Sequence, residues 1–198
     1  VNSAALVAAG ISKTTPNPKG GIYMKDASGN LNGLLIDNAG NKIIELAIKS
    51  IPNNATNDYS GLVDFALPEL AKNGITSICD ARTYWKRDHH KTWQKAASNN
   101  ELTCRVNLGL WAYPEENDVS QIASIKSLFD NNGNDLLRVN QIKLYSDGII
   151  HNTTSAMHAD YKIDLFNLPT NKGLNYFTES RLANYITQLQ PLGFDFHI

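Results

Sequence analysis

Apolar and polar positions alternate in blocks from residue 61 to the end of the chain. Short and mostly apolar runs, which have the length of buried strands, occur four times: ITSICD, LTCRVNLGLWA, VNQIKLYSDG and FDFHI. Segments with helical spacing separate these runs, and the last of them, ESRLANYITQLQPLG, follows Thr178 as a predicted N-cap. Strands that alternate with helices are typical of βαβ units on a parallel sheet. The pattern does not decide whether that sheet stays open or closes into a (β/α)8 barrel.

Residues 1–60 follow a different pattern. We predict a short helix that ends at Gly10, a hairpin around Ser28-Gly29-Asn30, a helix over 41–49 and a loop over IPNNATNDYS. Residues 1–60 are thus expected to form a helix plus a hairpin insertion packed on the βα units of 61–198, within a single domain. The chain starts inside a helical pattern and stops inside a strand pattern, so we expect a piece truncated at both ends.

Composition narrows the class of protein. Of 198 residues, 42% are hydrophobic and 19% are charged, which is ordinary for a globular domain. A formal net charge of −1 lacks the basic excess that a nucleic-acid partner requires. No apolar run reaches the roughly 18 residues of a membrane span. Cys79 and Cys104 lie in apolar runs without a C-x-x-C spacing, which predicts buried free thiols.

Two local patterns carry further expectations. Asp118-Val-Ser-Gln121 is typical of a capping box that opens a helix. His89 and His90 stand among charged neighbours and point about 100° apart on a helix, so we predict that both lie on a solvated face. The chain shows no glycine loop of the kind that binds phosphates, which argues against the common nucleotide-binding proteins. It also shows no G-x-S-x-G nucleophile elbow, which argues against the common serine hydrolases.

Functional groups are expected at the carboxyl ends of parallel strands. The side chains that the four strands deliver there are Asp80, with Arg82 just beyond it, Trp111, Lys143, Asp147, Asp195 and His197. Each has an ordinary structural explanation, since an aspartate can cap a turn, a tryptophan can pack and a histidine can be hydrogen-bonded in a core. Lys143 is the unusual one, because an unpaired ammonium in a buried strand is costly to desolvate. We predict substrate contacts for Asp80, Trp111 and Asp147.

Five segments in order resemble the amidohydrolase superfamily, and within it the amidohydrolase 3 (YtcJ-like) family of metal-dependent hydrolases. They are VNSAALVAAGI, TPNPKGGIYMKDASGNLNGLLID, NGITSICDA, IKLYSDG and FDFHI. The chain has Asp37 where glutamate is commoner in the family. The resemblance covers nearly the whole chain and implies an α/β fold, a partial (β/α)8 TIM barrel of about half its strands, roughly strands two to five.

The resemblance also implies a metal centre. Lys143 corresponds to the fourth-strand residue, which carbon dioxide carboxylates into an oxygen-donor ligand, and His197 corresponds to a fifth-strand imidazole ligand. In the family a divalent metal, usually zinc, activates water for attack on an amide-type C–N bond of a small molecule. The general-base aspartate and the remaining ligands have no counterpart in this chain.

Lys143 and His197 are fewer than the roughly three protein ligands of a catalytic zinc. We therefore expect that the isolated chain is inactive, that it holds no zinc or a substoichiometric amount, and that Lys143 is an unmodified amine. Exposed barrel edges favour self-association. The alternative is a complete small α/β ligand-binding or interaction domain without catalysis, in which the motif matches are accidental. Localisation stays open, because the segment suits the cytoplasm and a preceding segment could carry an export signal.

Overall fold

The computed structural model describes residues 1–18, 21–132, 136–166 and 169–198. These residues form two compact units, each built from two stretches of chain. The first unit comprises Val1–Pro52 and Ser146–Tyr176, and the second comprises Asn53–Tyr145 and Phe177–Ile198.

The first unit contains the predicted amino-terminal helices and hairpin. Its helices are α1 (Ser3–Ala8) and α2 (Asn41–Ser50), and its strands are β1 (Gly21–Lys25) and β2 (Leu31–Asp37). The side chain of Asn2 caps α1 by accepting a hydrogen bond from the Ala5 N–H at 3.0 Å. The strands pair antiparallel, as predicted, and α1 packs on them through a small apolar core of Leu6, Ala9, Ile11, Tyr23 and Ala39.

The carboxyl-terminal stretch of this unit has little regular structure. It is held to the hairpin by the Asn152 amide, which donates to the Asp37 carboxylate at 3.1 Å. Within the stretch, Asn171 Nδ2 donates to the Thr153 carbonyl and to Asp164, at 2.9 and 2.6 Å. Hydrogen bonds from asparagine side chains, to other side chains and to the backbone, therefore help to hold this stretch.

The second unit is built on a parallel sheet whose spatial order equals its chain order, β3-β4-β5-β6. Its strands are β3 (Ser77–Thr83), β4 (Arg105–Trp111), β5 (Leu137–Lys143) and β6 (Asp195–His197). Its α-helices are α3 (Asn54–Ser60), α4 (Leu67–Lys72), α5 (His89–Ser98), α6 (Asp118–Ser127) and α7 (Glu179–Leu189). The predicted alternation of strands and helices is confirmed, and the fold is mixed α/β with a parallel four-stranded sheet.

Helix α3 corrects one prediction, because IPNNATNDYS was expected to form a loop. The chain is helical from Asn54 and continues through a wider turn over Gly61–Ala66 into α4, where Pro68 occupies the first turn and does not break the helix. Tyr59 supplies the tertiary contacts that favour this helix. Its hydroxyl donates to Glu101 and accepts from Asn99, and Lys95 Nζ lies 3.7 Å from its ring centre.

The two faces of the sheet differ. One face, here called the covered face, is lined by the fully buried side chains Leu108, Leu110, Ile142 and Leu144. Because side chains alternate along a strand, the opposite, open face carries Cys79, Gly109, Gln141 and Lys143. Across Gly109, the Cys79 thiol donates to Gln141 Oε1 at 2.8 Å. Both cysteines are free, but only Cys104 is buried, so the prediction of a buried thiol is wrong for Cys79.

Helices α6 and α7 are joined by a partly buried polar network. The single N–H of Arg181 Nε is shared between the two oxygens of the Asp118 carboxylate, each at 2.9 Å, and Nη2 donates to Oδ1 at 2.7 Å. The Tyr185 hydroxyl donates to the same carboxylate at 2.8 Å. Burial acts to raise the pKa of Asp118, but the hydrogen bonds from Arg181 and Tyr185 outweigh it and hold that pKa below its usual value.

The same region corrects the predicted capping box. The cap of α6 is Asn117, one residue earlier, whose side chain accepts from the Ser120 N–H at 3.1 Å. Gln121 instead binds the backbone of Tyr113, accepting from its N–H at 2.7 Å and donating to its carbonyl at 3.1 Å. Because the Gln121 side-chain amide is hydrogen-bonded to the Tyr113 backbone, it cannot also cap the first turn of α6.

His90 corrects the prediction of a solvated pair on α5. It is buried, whereas His89 is half-buried with its ring 5.8 Å from that of Tyr84. Burial lowers the pKa of His90, the effect of desolvation on a cation. Among the described residues, no helix combines the length and apolar content that crossing a membrane requires.

We predict that Asp118→Asn lowers the free energy of unfolding by about 1–3 kcal/mol at neutral pH, because charge-assisted hydrogen bonds are lost. A depressed pKa adds stability that is complete above the unfolded value of about 3.9 and disappears as pH falls through the folded value. Urea unfolding should therefore show a difference from the unsubstituted chain that shrinks at acidic pH. Asp160→Asn, at an exposed position, is the control and should change stability by less than about 0.5 kcal/mol. A difference that does not vary with pH would contradict the assignment.

Gly109→Ala and Gly61→Ala should have opposite effects on stability. A Cβ on Gly109 would stand 3.2 Å from Gln141 Oε1 and 3.3 Å from the Ala81 backbone, so we expect destabilisation of about 1 kcal/mol or more. A Cβ on Gly61 meets nothing within 4 Å and the residue has helical angles, so alanine there should stabilise by about 0.5–1 kcal/mol. Thermal unfolding of the two variants measures both effects. Equal shifts in melting temperature would refute the packing described for Gly109.

Candidate functional site

Three of the predicted site residues lie in one row across the carboxyl ends of neighbouring strands. The backbone register pairs Trp111 of β4 with Lys143 of β5, and Lys143 with His197 of β6. Residues in register on parallel strands project from the same face, and adjacent strands are roughly 4.8 Å apart. The register therefore brings Trp111, Lys143 and His197 together on the open face.

The backbone ladder continues past this row and holds it in place. The Lys143 carbonyl accepts a hydrogen bond from the Ala112 N–H, and the His197 carbonyl accepts one from the Leu144 N–H, each at 2.9 Å. Lys143 is half-buried, with Nζ 4.8 Å from the ring centre of Tyr145, and His197 is exposed. Both side chains therefore remain accessible to a ligand on the open face.

The donor chemistry of this pair suits part of a metal centre. A neutral imidazole is a common metal ligand, and a lysine becomes an oxygen-donor ligand once it is carboxylated. Within the described ranges, no group of three or more His, Cys, Asp or Glu side chains is arranged to hold a metal ion. The pair thus supplies fewer protein ligands than the roughly three of a catalytic zinc.

The two predicted aspartates lie elsewhere. Asp80 is in register with Leu108, so it projects toward the covered face, where Trp93 Nε1 of α5 donates to its carboxylate at 3.2 Å. Asp147 belongs to the first unit, where its Oδ2 accepts from the Ser155 hydroxyl and the Ala156 N–H, each at 2.8 Å. Both carboxylates thus serve as hydrogen-bond acceptors within their own units.

Arg82 also lies on the open face, although sequence reasoning, which noted it just beyond Asp80, assigned it no role. Asp80 pairs with Leu108 and Thr83 pairs with Leu110, so β3 advances by three residues where β4 advances by two. The extra residue forms a β-bulge in β3. Thr83 is fully buried, as is its partner Leu110, which places the intervening Arg82 on the open face. The signal for Arg82 in the sequence was a basic residue two positions after an aspartate at a strand end. The bulge that turns Arg82 onto the open face cannot be predicted from residue types.

Aromatic rings surround the Arg82 guanidinium. Its carbon Cζ lies 4.0 Å from the ring centre of Trp111, 4.8 Å from that of Tyr145 and 4.9 Å from that of Tyr84. We call Tyr84, Trp111 and Tyr145 the aromatic cage. The rings of Tyr84 and Trp111 meet edge to face at 5.3 Å, and stacked cations of this kind are attracted by the ring quadrupoles. The row of Trp111, Lys143 and His197 therefore has a second cation beside it.

The loops after β3 and β4 hold the cage. The Trp85 indole donates to the Trp111 carbonyl at 2.8 Å, which ties the turn after β3 to the end of β4. Lys86 of the same turn forms an ion pair with Glu116 in the loop that follows β4. These contacts fix the turn that carries Tyr84.

A family model and two curated relatives match this chain. The model of the Amidohydrolase family matches residues 1–198. The Bacillus subtilis (strain 168) protein named "Putative amidohydrolase YtcJ" is 26% identical over 98% of this chain and 34% of its own length. "Protein LONG AFTER FAR-RED 3" of Arabidopsis thaliana is 24% identical over 93% of this chain and 31% of its own length. The chain thus spans about a third of the length of these curated relatives.

Solved structures show a similar fold. An uncharacterized metal-dependent hydrolase from Pyrococcus furiosus aligns with a TM-score of 0.61 and 16% identity over 98% of this chain and 36% of its own. A second, from Pyrococcus horikoshii OT3, aligns with the same score and identity over 35% of its length. These structures support the fold, and the match of the family model along the full chain shows that the protein belongs to the amidohydrolase family.

Proposed function

We propose that this chain is the central part of a metal-dependent hydrolase that cleaves amide-type C–N bonds of small molecules with an activated water. The observation that carries the proposal is the register that places Lys143 beside His197 at the carboxyl ends of neighbouring parallel strands. This is the end of the strands at which α/β enzymes place their active sites. The amidohydrolase family assignment supports the reaction class.

We further propose that the parallel sheet is a section of a (β/α)8 barrel, roughly strands two to five. Four strands stand side by side in chain order with helices between them, the arrangement of consecutive barrel units. The open face would then line the barrel interior. The edge strands β3 and β6 would pair with further barrel strands. Where those strands are missing, β3 and β6 would pair with other copies of this chain.

The roles of the residues follow from their chemistry. His197 would supply an imidazole nitrogen and Lys143 a carbamate oxygen to a divalent metal, which we propose to be zinc. Carboxylation of Lys143 forms a bond between Nζ and carbon dioxide, and a proton leaves the amine. The metal, when bound, supplies Lewis-acid activation of water and of the substrate carbonyl.

Trp111 would form an apolar wall for the substrate beside the pair, since it ends the neighbouring strand in the same row. We retain Asp80 and Asp147 as proposed substrate contacts. To bind substrate, the Asp80 carboxylate would give up its hydrogen bond from Trp93, and the Asp147 carboxylate would give up its hydrogen bond from Ser155. The general-base aspartate is expected on a strand outside this chain.

The isolated chain should bind far less than one zinc per molecule and should not hydrolyse amides, because its two ligands are fewer than catalytic zinc requires. Elemental analysis after dialysis against zinc measures this. Lys143→Ala and His197→Ala should leave the low zinc content unchanged. Stoichiometric zinc that both substitutions abolish would contradict the view that the site is incomplete.

In a protein that joins this segment to the remaining barrel strands, Lys143→Ala should lower kcat/KM for an amide substrate by at least about a hundredfold and reduce bound zinc. Lys143→Glu should recover part of the zinc content, because it restores oxygen donors. The exposed Lys49→Ala is the control and should retain activity. Full activity and zinc content in Lys143→Ala would rule out the role proposed for this lysine.

A further inference from the structure

The aromatic cage packs against the Arg82 guanidinium with three rings, and the Trp111 ring is inclined by 71° to that of Tyr84 and by 80° to that of Tyr145. Contacts of this kind attract the positive charge and leave the N–H donors of the group in need of acceptors. Cζ lies within 4.9 Å of three ring centres, so the side chain is held from several sides. A guanidinium fixed in this way can bind a planar anion with little loss of side-chain entropy.

Two N–H donors in this place have no acceptor. Arg82 Nε and Trp111 Nε1 are both buried and make no hydrogen bond within the part of the chain that the structure describes. The other two indoles are satisfied, since Trp85 donates to a backbone carbonyl and Trp93 donates to Asp80. A buried donor without an acceptor is unfavourable, so the pairing of two such donors points to an acceptor that binds there.

The charge at this place is positive. Among the described residues no carboxylate forms an ion pair with Arg82, and the nearest strand-end acid, Asp80, projects toward the covered face. Lys143 Nζ and Arg82 Cζ each lie 4.8 Å from the same Tyr145 ring centre. Both cations thus contact the same ring, and an anion bound at Arg82 would lie on the open face that carries the Lys143–His197 pair.

Arg82 is half-buried as a residue, and its buried atom is the inner nitrogen Nε. The exposed part of the side chain accordingly includes the terminal nitrogens Nη1 and Nη2, the edge that pairs with a carboxylate through two parallel hydrogen bonds. A carboxylate matches this fork in shape and charge, whereas a neutral amide offers one acceptor and no charge.

We propose that Arg82, held by the aromatic cage, binds the carboxylate of the substrate, and that the substrate class is amides that carry a carboxylate near the scissile bond, such as N-acyl amino acids. This inference rests on the proposed function, because it names the substrate class of the same site. Recognition of the carboxylate would orient the acyl C–N bond toward Lys143 and His197.

The test uses the three indole N–H signals of the ¹⁵N-labelled chain in metal-free buffer. Titration with N-acetylglycine should shift the Trp111 indole signal in a saturable way, while the signal of Trp93, which faces Asp80, should stay in place. N-acetylglycinamide, which has the same shape without the charge, should bind roughly tenfold or more weakly. The indole signals are assigned with Trp→Phe variants.

Variants at Arg82 complete the design. Arg82→Gln should abolish the preference for N-acetylglycine, and Arg82→Lys should keep a reduced preference, because it retains charge without the fork. Arg105→Gln, at an exposed position that begins β4, should bind as the unsubstituted chain does. Unchanged Trp85 and Trp93 signals without ligand show that each variant is folded.

Equal binding of the acid and the amide by the unsubstituted chain would overturn the proposal without recourse to any variant. A preference that persists in Arg82→Gln, or a shift of Trp93 as large as that of Trp111, would also overturn it. Because metal is absent throughout, these outcomes are independent of the zinc and hydrolysis experiments. If the zinc experiments fail, the carboxylate site at Arg82 can still be confirmed. If the titrations fail, the metal site at Lys143 and His197 can still be confirmed.

Discussion

The parallel hydrogen-bond ladder between β4, β5 and β6 is the constraint on which the rest of this structure depends. It pairs Trp111 with Lys143 and Lys143 with His197, residues that are far apart in sequence. Alternation along each strand then sends Leu110, Ile142 and their neighbours into the covered face and leaves the row on the open face. A slip by one residue would exchange the two faces, so burial of the leucines and isoleucines specifies the site.

An irregularity in the pairing of β3 with β4 changes which side chains reach the open face. The bulge between Asp80 and Thr83 turns Arg82 onto the open face, while Asp80 remains on the side of α5. The guanidinium then reaches Trp111 and Tyr145, which lie at the ends of the next two strands. Bulges of this kind redirect a side chain at the rim of a sheet and are common near active sites.

The surrounding helices make the row rigid through polar contacts as well as apolar packing. Gln121 of α6 holds the backbone of Tyr113 just beyond the end of β4, and it also donates to the Tyr185 hydroxyl of α7 at 2.6 Å. Asp118 and Arg181 link the same two helices. The loop after β4 is thereby held from the side of α6 and α7, in addition to the ion pair of its own Glu116 with Lys86.

Sequence reasoning found the strands, most helices and the hairpin from apolar periodicity, which is a local property, and it found the family from the resemblance of five segments. Position at the ends of strands marked Trp111, Lys143 and His197, which the register brings into one row. It missed α3, the cap at Asn117, the burial of His90 and the position of Arg82 on the open face. Three of these depend on contacts between residues distant in the chain: Tyr59 with Glu101, the packing of α5, and the register of β3 on β4. The cap is local, but Gln121 is drawn away from it by its hydrogen bonds to Tyr113. The sequence by itself determined the element types and the chemistry carried to each strand end. The tertiary structure alone decided which side chains share a face and that residues 146–176 join the amino-terminal unit, because register and long-range contacts are set by the packing of whole elements.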